Sequence, residues 1–339
     1  MIRCKLADLP WDELRSPAGK FHSYCRNVSL TLGGIRNTGL WGGGHPFDVQ
    51  IRRIPPGAAA CPYHSHLVQS ELFVVQAGNG TVRASGESHP IKTGDVFYHP
   101  PGEPHQLTNP GSADLKVLIV ADNPQLDACY YPDSDKWALR PGKIFRITEC
   151  DYLDGEEKTL PGTPAYISTP GATPPAFVPF SQRKVSMDEL PWENFDSPGK
   201  KFRGESKQLT EALGAKANTP TGLGGHPFDL EFGRLPPGFS GCPFHSHAAQ
   251  WEFYIFLSGQ GEVRTIEGLT PVIGGDVVLH PAGELHQFRN VGTDFLHYFL
   301  IADNPALDVW RYPDSDKWGI SSSRKIFRTT DTPYWEGEE

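Results

Sequence analysis

The chain lacks a long apolar run, an excess of positive charge and a paired cysteine motif. No stretch approaches the roughly 20 apolar residues of a membrane span, which argues against a membrane protein. The start, "MIRCKLADLPWDEL", has no apolar segment of the kind a secretory signal carries, so a cytoplasmic location is expected. With 31 Lys and Arg against 40 Asp and Glu, the formal charge is −9. That balance argues against a nucleic-acid or anionic-membrane partner, since both demand a basic face. Six cysteines, Cys4, Cys25, Cys61, Cys129, Cys150 and Cys242, form no CxxC pair and are expected as thiols. What is abundant is glycine (36) and proline (32). Such a composition suits many short strands joined by tight turns.

The stretch "CPYHSHLVQSELFVVQAGNG" (61–80) returns as "CPFHSHAAQWEFYIFLSGQG" (242–261). Trp11 and Trp192, His45 and His226, and both copies of "YPDSDKW" (131–137 and 312–318) share one offset of 181 residues. A period this long is a domain duplication and not a solenoid repeat. The expected division is 1–157 and 185–339, joined by a Pro/Thr/Ala-rich connector over 158–184. Within each copy, segments such as "PFDVQIRRI", "SELFVVQ", "GTVRA", "DVFYHP" and "LKVLIVA" read as strands. The fold class is therefore all-β, a sandwich or barrel in each copy. Short helices are expected at copy edges, around "SMDELPWENF" and "NPQLDACYYPDS".

His64 and His66 are two residues apart and so share one face of a strand. Glu71 lies five beyond His66, so a bend within "LVQS" must return the chain before Glu71, Phe73 and Val75 can face inward. The "PPG" turn then lets His105 open the next strand. Three imidazoles and a carboxylate can thus converge, a donor set suited to Mn, Fe, Co, Ni, Cu or Zn. The second copy repeats it with His245, His247, Glu252 and His286. A buried carboxylate among histidines is costly without a cation. One divalent transition metal per copy, two per chain, is the expectation.

The pattern G-x6-H-x-H-x4-E-x6-G (Gly57 to Gly78) resembles the first cupin motif, and G-x5-P-x-G-x2-H-x3-N (Gly94 to Asn109) the second. Gly238 to Gly259 and Gly275 to Asn290 repeat both. The chain thus resembles a bicupin over nearly its whole length. The resemblance implies two tandem double-stranded β-helix (jelly-roll) barrels, each holding one metal on the residues named above. The four-residue spacing before the glutamate is similar to that of germins and oxalate decarboxylases, which implies manganese. One departure is plain. The substrate arginine of oxalate decarboxylases precedes the first histidine by three, where this chain has Cys61 and Cys242. That counts against oxalate.

Around the ligands, Gln69 and Gln250 are candidates to orient a ligand or hold a substrate oxygen. Arg83 and Arg264 are candidates to grip a carboxylate or phosphate, with an exposed strand position as the alternative. Tyr63 and Tyr98 would add hydroxyls to the first pocket if they face inward, whereas copy two has Phe244 and Leu279 there. His45 and His226 are read as packing residues. The function expected is a metal-dependent oxidoreductase (dioxygenase-like) or decarboxylase on a small oxygen-rich molecule. Alternatives are a sugar-derivative isomerase or hydrolase, or a non-catalytic metal-dependent binding protein. A homo-oligomer is left open.

Overall fold

The computed structural model describes all residues except 37, 140, 141, 149, 151–175, 322–324 and 339. Each copy builds a barrel from one seven-stranded, one four-stranded and one three-stranded antiparallel sheet. In the first copy the large sheet runs in the order Lys184–Ser186, Asp95–His99, Glu71–Ala77, Leu115–Asp122, Phe47–Ile54, His22–Asn27, Asp12–Arg15. The small sheets facing it are His105–Thr108, Asn79–Ala84, Glu87–Lys92 and, separately, Lys143–Phe145, Lys136–Leu139, Ala128–Tyr131, Ser65–His66. Every strand expected from the sequence is present. Among the described residues no helix is long and apolar enough to cross a membrane.

The expected edge helices are not there. Residues 187–190 are a turn, and Glu193–Asp196 is a strand. In the other segment Ala128–Tyr131 is a strand that ends in the 3-10 turn Pro132–Ser134. Pairing within the sheets overrides the weak helical pattern of these short segments. Helix occurs instead as single turns, Val28–Thr31 and Leu209–Ala212.

The strand Glu71–Ala77 is apolar on both faces because both are covered. Phe73 and Val75 point into the barrel, where they meet Val82, Phe97, Leu107 and Ile119. Leu72 and Val74 point outward into a second core that both copies share. There Phe47 of the first large sheet lies 6.2 Å from the rings of Phe228 and Phe253 of the second. Each fully buried side chain of this kind contributes about 1.5–3 kcal/mol, so the two large sheets lock face to face.

The copies also trade strands. Ile2–Lys5 adds to the sheet of the second copy through Asp276–His280. Lys184–Ser186 adds to the sheet of the first through Asp95–Phe97. Phe180, just before it, fills the first barrel's core. The connector expected over 158–184 lies outside the described residues as far as 175, and its last residues are part of the first barrel.

His45 and His226 do pack at the shared face. His226 stacks on Tyr98 at 3.9 Å, and His45 lies 5.3 Å from Trp251. The paired differences Ser70/Trp251 and Tyr98/Leu279 are therefore interface differences. Each copy supplies one large aromatic ring to cover the other's histidine.

Candidate functional site

The four candidate ligands of each copy come from separate stretches of backbone, and three of them gather most closely: His64, Glu71 and His105 in copy one, and His245, His247 and Glu252 in copy two. His64 and His105 face each other in a two-way bridge, with His105 N donating to His64 O at 2.8 Å and His64 N to His105 O at 3.2 Å. His66 sits on the two-residue strand Ser65–His66, paired with Cys129. The chain bends at 67–68, and Glu71 opens the next strand facing His99. Gly102 closes the turn before His105 with φ +83°, a conformation that favours glycine. Its N–H donates to the His66 carbonyl at 2.6 Å, which clamps the two motifs together.

Each ring is held by its outer nitrogen. His64 Nδ1 lies 2.9 Å from Pro62 O, His105 Nδ1 3.2 Å from Glu103 O, and His66 Nδ1 2.6 Å from Asp127 Oδ2. Carbonyls and carboxylates only accept, so each Nδ1 carries a proton, and Nε2 is the nitrogen whose lone pair a cation could take in place of a proton. His105 Nε2 is 2.7 Å, and His66 Nε2 3.9 Å, from Glu71 Oε2. Ligand atoms of His64, Glu71 and His105 all lie within 4.8 Å of one another. Copy two repeats the plan. His245 is held by Pro243 O at 2.9 Å, His286 by Glu284 O at 3.0 Å and His247 by Asp308 at 2.6 Å. His286 Nε2 lies 2.7 Å from Glu252 Oε2.

Electrostatics favours the ligating form at Glu71 and His64 and opposes it at His66. Burial opposes ionisation of Glu71, but the His105 hydrogen bond and the flanking imidazoles outweigh it and hold the carboxyl well below its usual 4.5. Burial, then the neighbouring His66, lower His64 to about 4, so it is neutral. Burial also opposes charge on His66, yet Asp127 and Cys129 lift it to about 10. A divalent cation takes the neutral imidazole and the ionised carboxylate as they stand, and its binding would displace the second proton of His66.

Behind each centre lies a support the sequence reading missed. His99 stacks on His105 with centroids 4.1 Å apart and planes 9° from parallel. Its Nδ1 is bonded to Glu103 at 2.7 Å, and Glu103 is gripped by the buried Arg183. His280, His286 and Glu284 repeat the stack at 4.0 Å. The signal was available, because Asp127/Asp308, His99/His280 and Glu103/Glu284 all recur at the offset of 181.

The candidate substrate contacts fare unevenly. Gln69 and Gln250 line their cavities, but their amides are committed to Asp122 O at 2.6 Å and Asp303 O at 2.7 Å. Arg83 lies at the surface, bonded twice to Asp133 and stacked 3.7 Å over the Tyr63 ring. Arg264 does the same with Asp314 and Phe244. The Tyr63 hydroxyl accepts from Gly86 N at 2.8 Å. Tyr98 faces the other copy and donates to Ser70 at 2.8 Å. None of these four side chains lines the cavities that reach the candidate ligands. Cys61 and Cys242 sit beside His64 and His245, and burial pushes both thiols up.

What does enter the first cavity comes from the strand Phe47–Ile54. Asp48, Gln50 and Arg52 share its inner face. A single cavity of about 170 Å³ touches them, Arg36 and all four of His64, His66, Glu71 and His105. In copy two the space is divided. One cavity of about 390 Å³ reaches His245 and His247, and another of about 260 Å³ reaches His245 and Glu252. Tyr254 and Tyr298 line only the latter. The Tyr254 hydroxyl donates to Glu252 at 2.7 Å, a bond that Phe73 cannot make in copy one.

Residues 50–121 and 231–302 each match the cupin domain family. An oxalate-binding protein of Thermotoga maritima is 35% identical over 68 residues, 20% of this chain and 55% of that protein. Auxin-binding protein 1 of Arabidopsis thaliana is 27% identical over 138 residues, 38% of this chain and 62% of its own. The chain thus spans little more than half the length of the curated relatives it matches. Among solved structures, an oxalate decarboxylase of Lactobacillus farciminis in a formate complex superposes with a TM-score of 0.53 at 17% identity, covering 90% of this chain and 86% of that one. One from Bacillus subtilis gives 0.52 at 16% identity, over 91% and 78%. At such identity the superposition speaks for the fold. With two cupin domains in tandem on two interlocked barrels, the chain is a bicupin of the cupin superfamily.

Proposed function

We propose that each barrel holds one divalent transition metal on three histidines and one glutamate, and that the chain is a metal-dependent enzyme for a small oxygen-rich organic molecule. One observation carries this reading: all six proposed ligand imidazoles are tethered at Nδ1, and Nε2 of four of them, His66, His105, His247 and His286, lies within 3.9 Å of Glu71 or Glu252. A metal so held supplies Lewis acidity toward a bound oxygen, with open positions for substrate. The residues present fit manganese, and iron, nickel, cobalt, copper or zinc would be accepted by the same donors. The chemistry is assigned to the oxidoreductase or lyase class, with barrel one as its place. Among the described residues, the barrel-one cavity reaches every proposed ligand of its copy together with polar side chains of the inner strand, whereas the copy-two cavities divide them.

Elemental analysis after gentle purification should give about two metals per chain, and His64→Ala or His245→Ala should each remove one. Turnover of small hydroxy and keto acids, followed with dioxygen uptake, should be lost with His64→Ala and spared with His245→Ala. A fully loaded protein with one metal refutes the first part. Full activity without metal in barrel one refutes the second. The absence of turnover with intact metal binding would favour a binding protein.

A further inference from the structure

The two copies keep the same candidate ligands and differ sharply one layer out. In barrel one Arg52 lies directly across from Val117 on the neighbouring strand, and in barrel two the equivalent pair is Gly233 and Tyr298. These exchanges are coupled. A Cβ at Gly233 would come within 2.2 Å of the Tyr298 ring, so the tyrosine occupies the space an arginine would need. Gln50 becomes Glu231, which accepts from Tyr298 at 3.2 Å and from Gln208 at 2.7 Å. Arg36 becomes Ala217.

The charge of the cavities follows. Arg36 and Arg52 stand against Asp48 and Glu71 in barrel one, so a bound dication leaves that cavity positive. The inner cavity of barrel two is lined by Glu193, Glu231 and Glu252, together with Glu205, which is paired with Arg234 outside the lining, and no lysine or arginine lines it. The outer one has Asp308 as its charged side chain. Arg52 is moreover incompletely satisfied. Its Nη2 donates to Gln50 at 3.1 Å, while its buried Nε has no partner among the described residues. A buried guanidinium N–H left unmade in a cavity is a donor awaiting an acceptor.

We infer that barrel one is an anion-selective centre in which Arg52 receives the carboxylate of a small organic acid, and that the Gly233/Tyr298 pair with Glu231 makes barrel two refuse such anions. This rests on the metal reading above and narrows its substrate class. It also explains how the chain dispenses with an arginine at positions 61 and 242. The positive group arrives from the inner strand instead of from the histidine motif. Barrel two keeps its ligands without an anion site, which suits a centre that braces the fold or takes a neutral ligand.

The test is direct binding on the full chain, with metal content measured on every sample. Glycolate is titrated calorimetrically into manganese-loaded protein, and glycolamide serves as the neutral control of similar shape. One glycolate site per chain is expected, with glycolamide much weaker. Arg52→Met, which keeps most of the side-chain bulk, should weaken glycolate roughly tenfold to a hundredfold, the loss of a charged hydrogen bond. It should leave both metals in place. Arg52→Lys should restore part of the affinity. The double variant Gly233→Arg with Tyr298→Val should add a second glycolate site. Wild-type affinity in a two-metal Arg52→Met protein would overturn the inference and leave the metal reading intact. So would two equal glycolate sites in the wild type. A chain without metal would sink the metal reading alone, because Arg52-dependent glycolate binding would still decide this one.

Discussion

Asp127 is the carboxylate that fixes His66, and Asp127→Asn isolates that role. Its two oxygens accept from His66 Nδ1 at 2.6 Å, Val68 N at 3.0 Å and Gln69 N at 3.4 Å. An asparagine has one acceptor oxygen, which the Val68 and Gln69 N–H groups retain. Its NH2 then faces His66 Nδ1, donor against donor. Relief requires the other tautomer, with the proton moved to Nε2, the nitrogen that must face the metal. Loss of such a partner weakens metal binding about 10- to 100-fold, or about 1.4–2.7 kcal/mol. The assay is competition against a chromogenic chelator on metal-loaded protein, with folding checked by circular dichroism. The effect should be confined to one of the two metals, and Asp308→Asn should shift the other. A folded Asp127→Asn chain that holds both metals as tightly as the wild type would refute the orienting role of Asp127.

Other outcomes follow from the same geometry. Chelation should lower the melting temperature without unfolding the chain, because each metal ties separate strands while each barrel keeps its apolar core; an unchanged transition after verified metal removal would contradict this. Arg183→Met leaves the buried Glu103 charge uncompensated and should destabilise by about 3–5 kcal/mol in denaturant titration. Adding Glu103→Gln should recover much of it. Burial raises Asp122 and Asp303 to about 7 from 3.8. The folded chain then binds more protons than the unfolded one between about pH 4 and 7, so these groups make stability fall as pH rises through that window. Asp122→Asn should flatten the fall, measured as denaturation midpoints at pH 5 and 8. Burial also acts on Glu103, but His99 and Arg183 outweigh it and hold the carboxyl at about 2. Its contribution is present above pH 4.5 and is lost as pH falls toward 2.

The sequence by itself determined the duplication, the strands and the eight candidate ligands. These are local or periodic properties: a constant offset of 181, two-residue alternation, and turn residues such as Gly102 whose backbone demands are written in the residue type. The tertiary structure alone decided which side chains face the interior of each barrel. Tyr98 and Arg52 both lie on strands of the first large sheet, yet one covers a histidine of the other copy and the other enters the cavity. A shift of one residue along a strand reverses the facing, and sequence does not say which face of a doubly buried strand is the barrel interior. Asp127 is 61 residues from His66 and meets it only because the small sheet closes. The strand exchange that brings Arg183 to Glu103 was equally hidden, since the pairing of an edge strand depends on which open sheet edge lies within reach when the two cores meet.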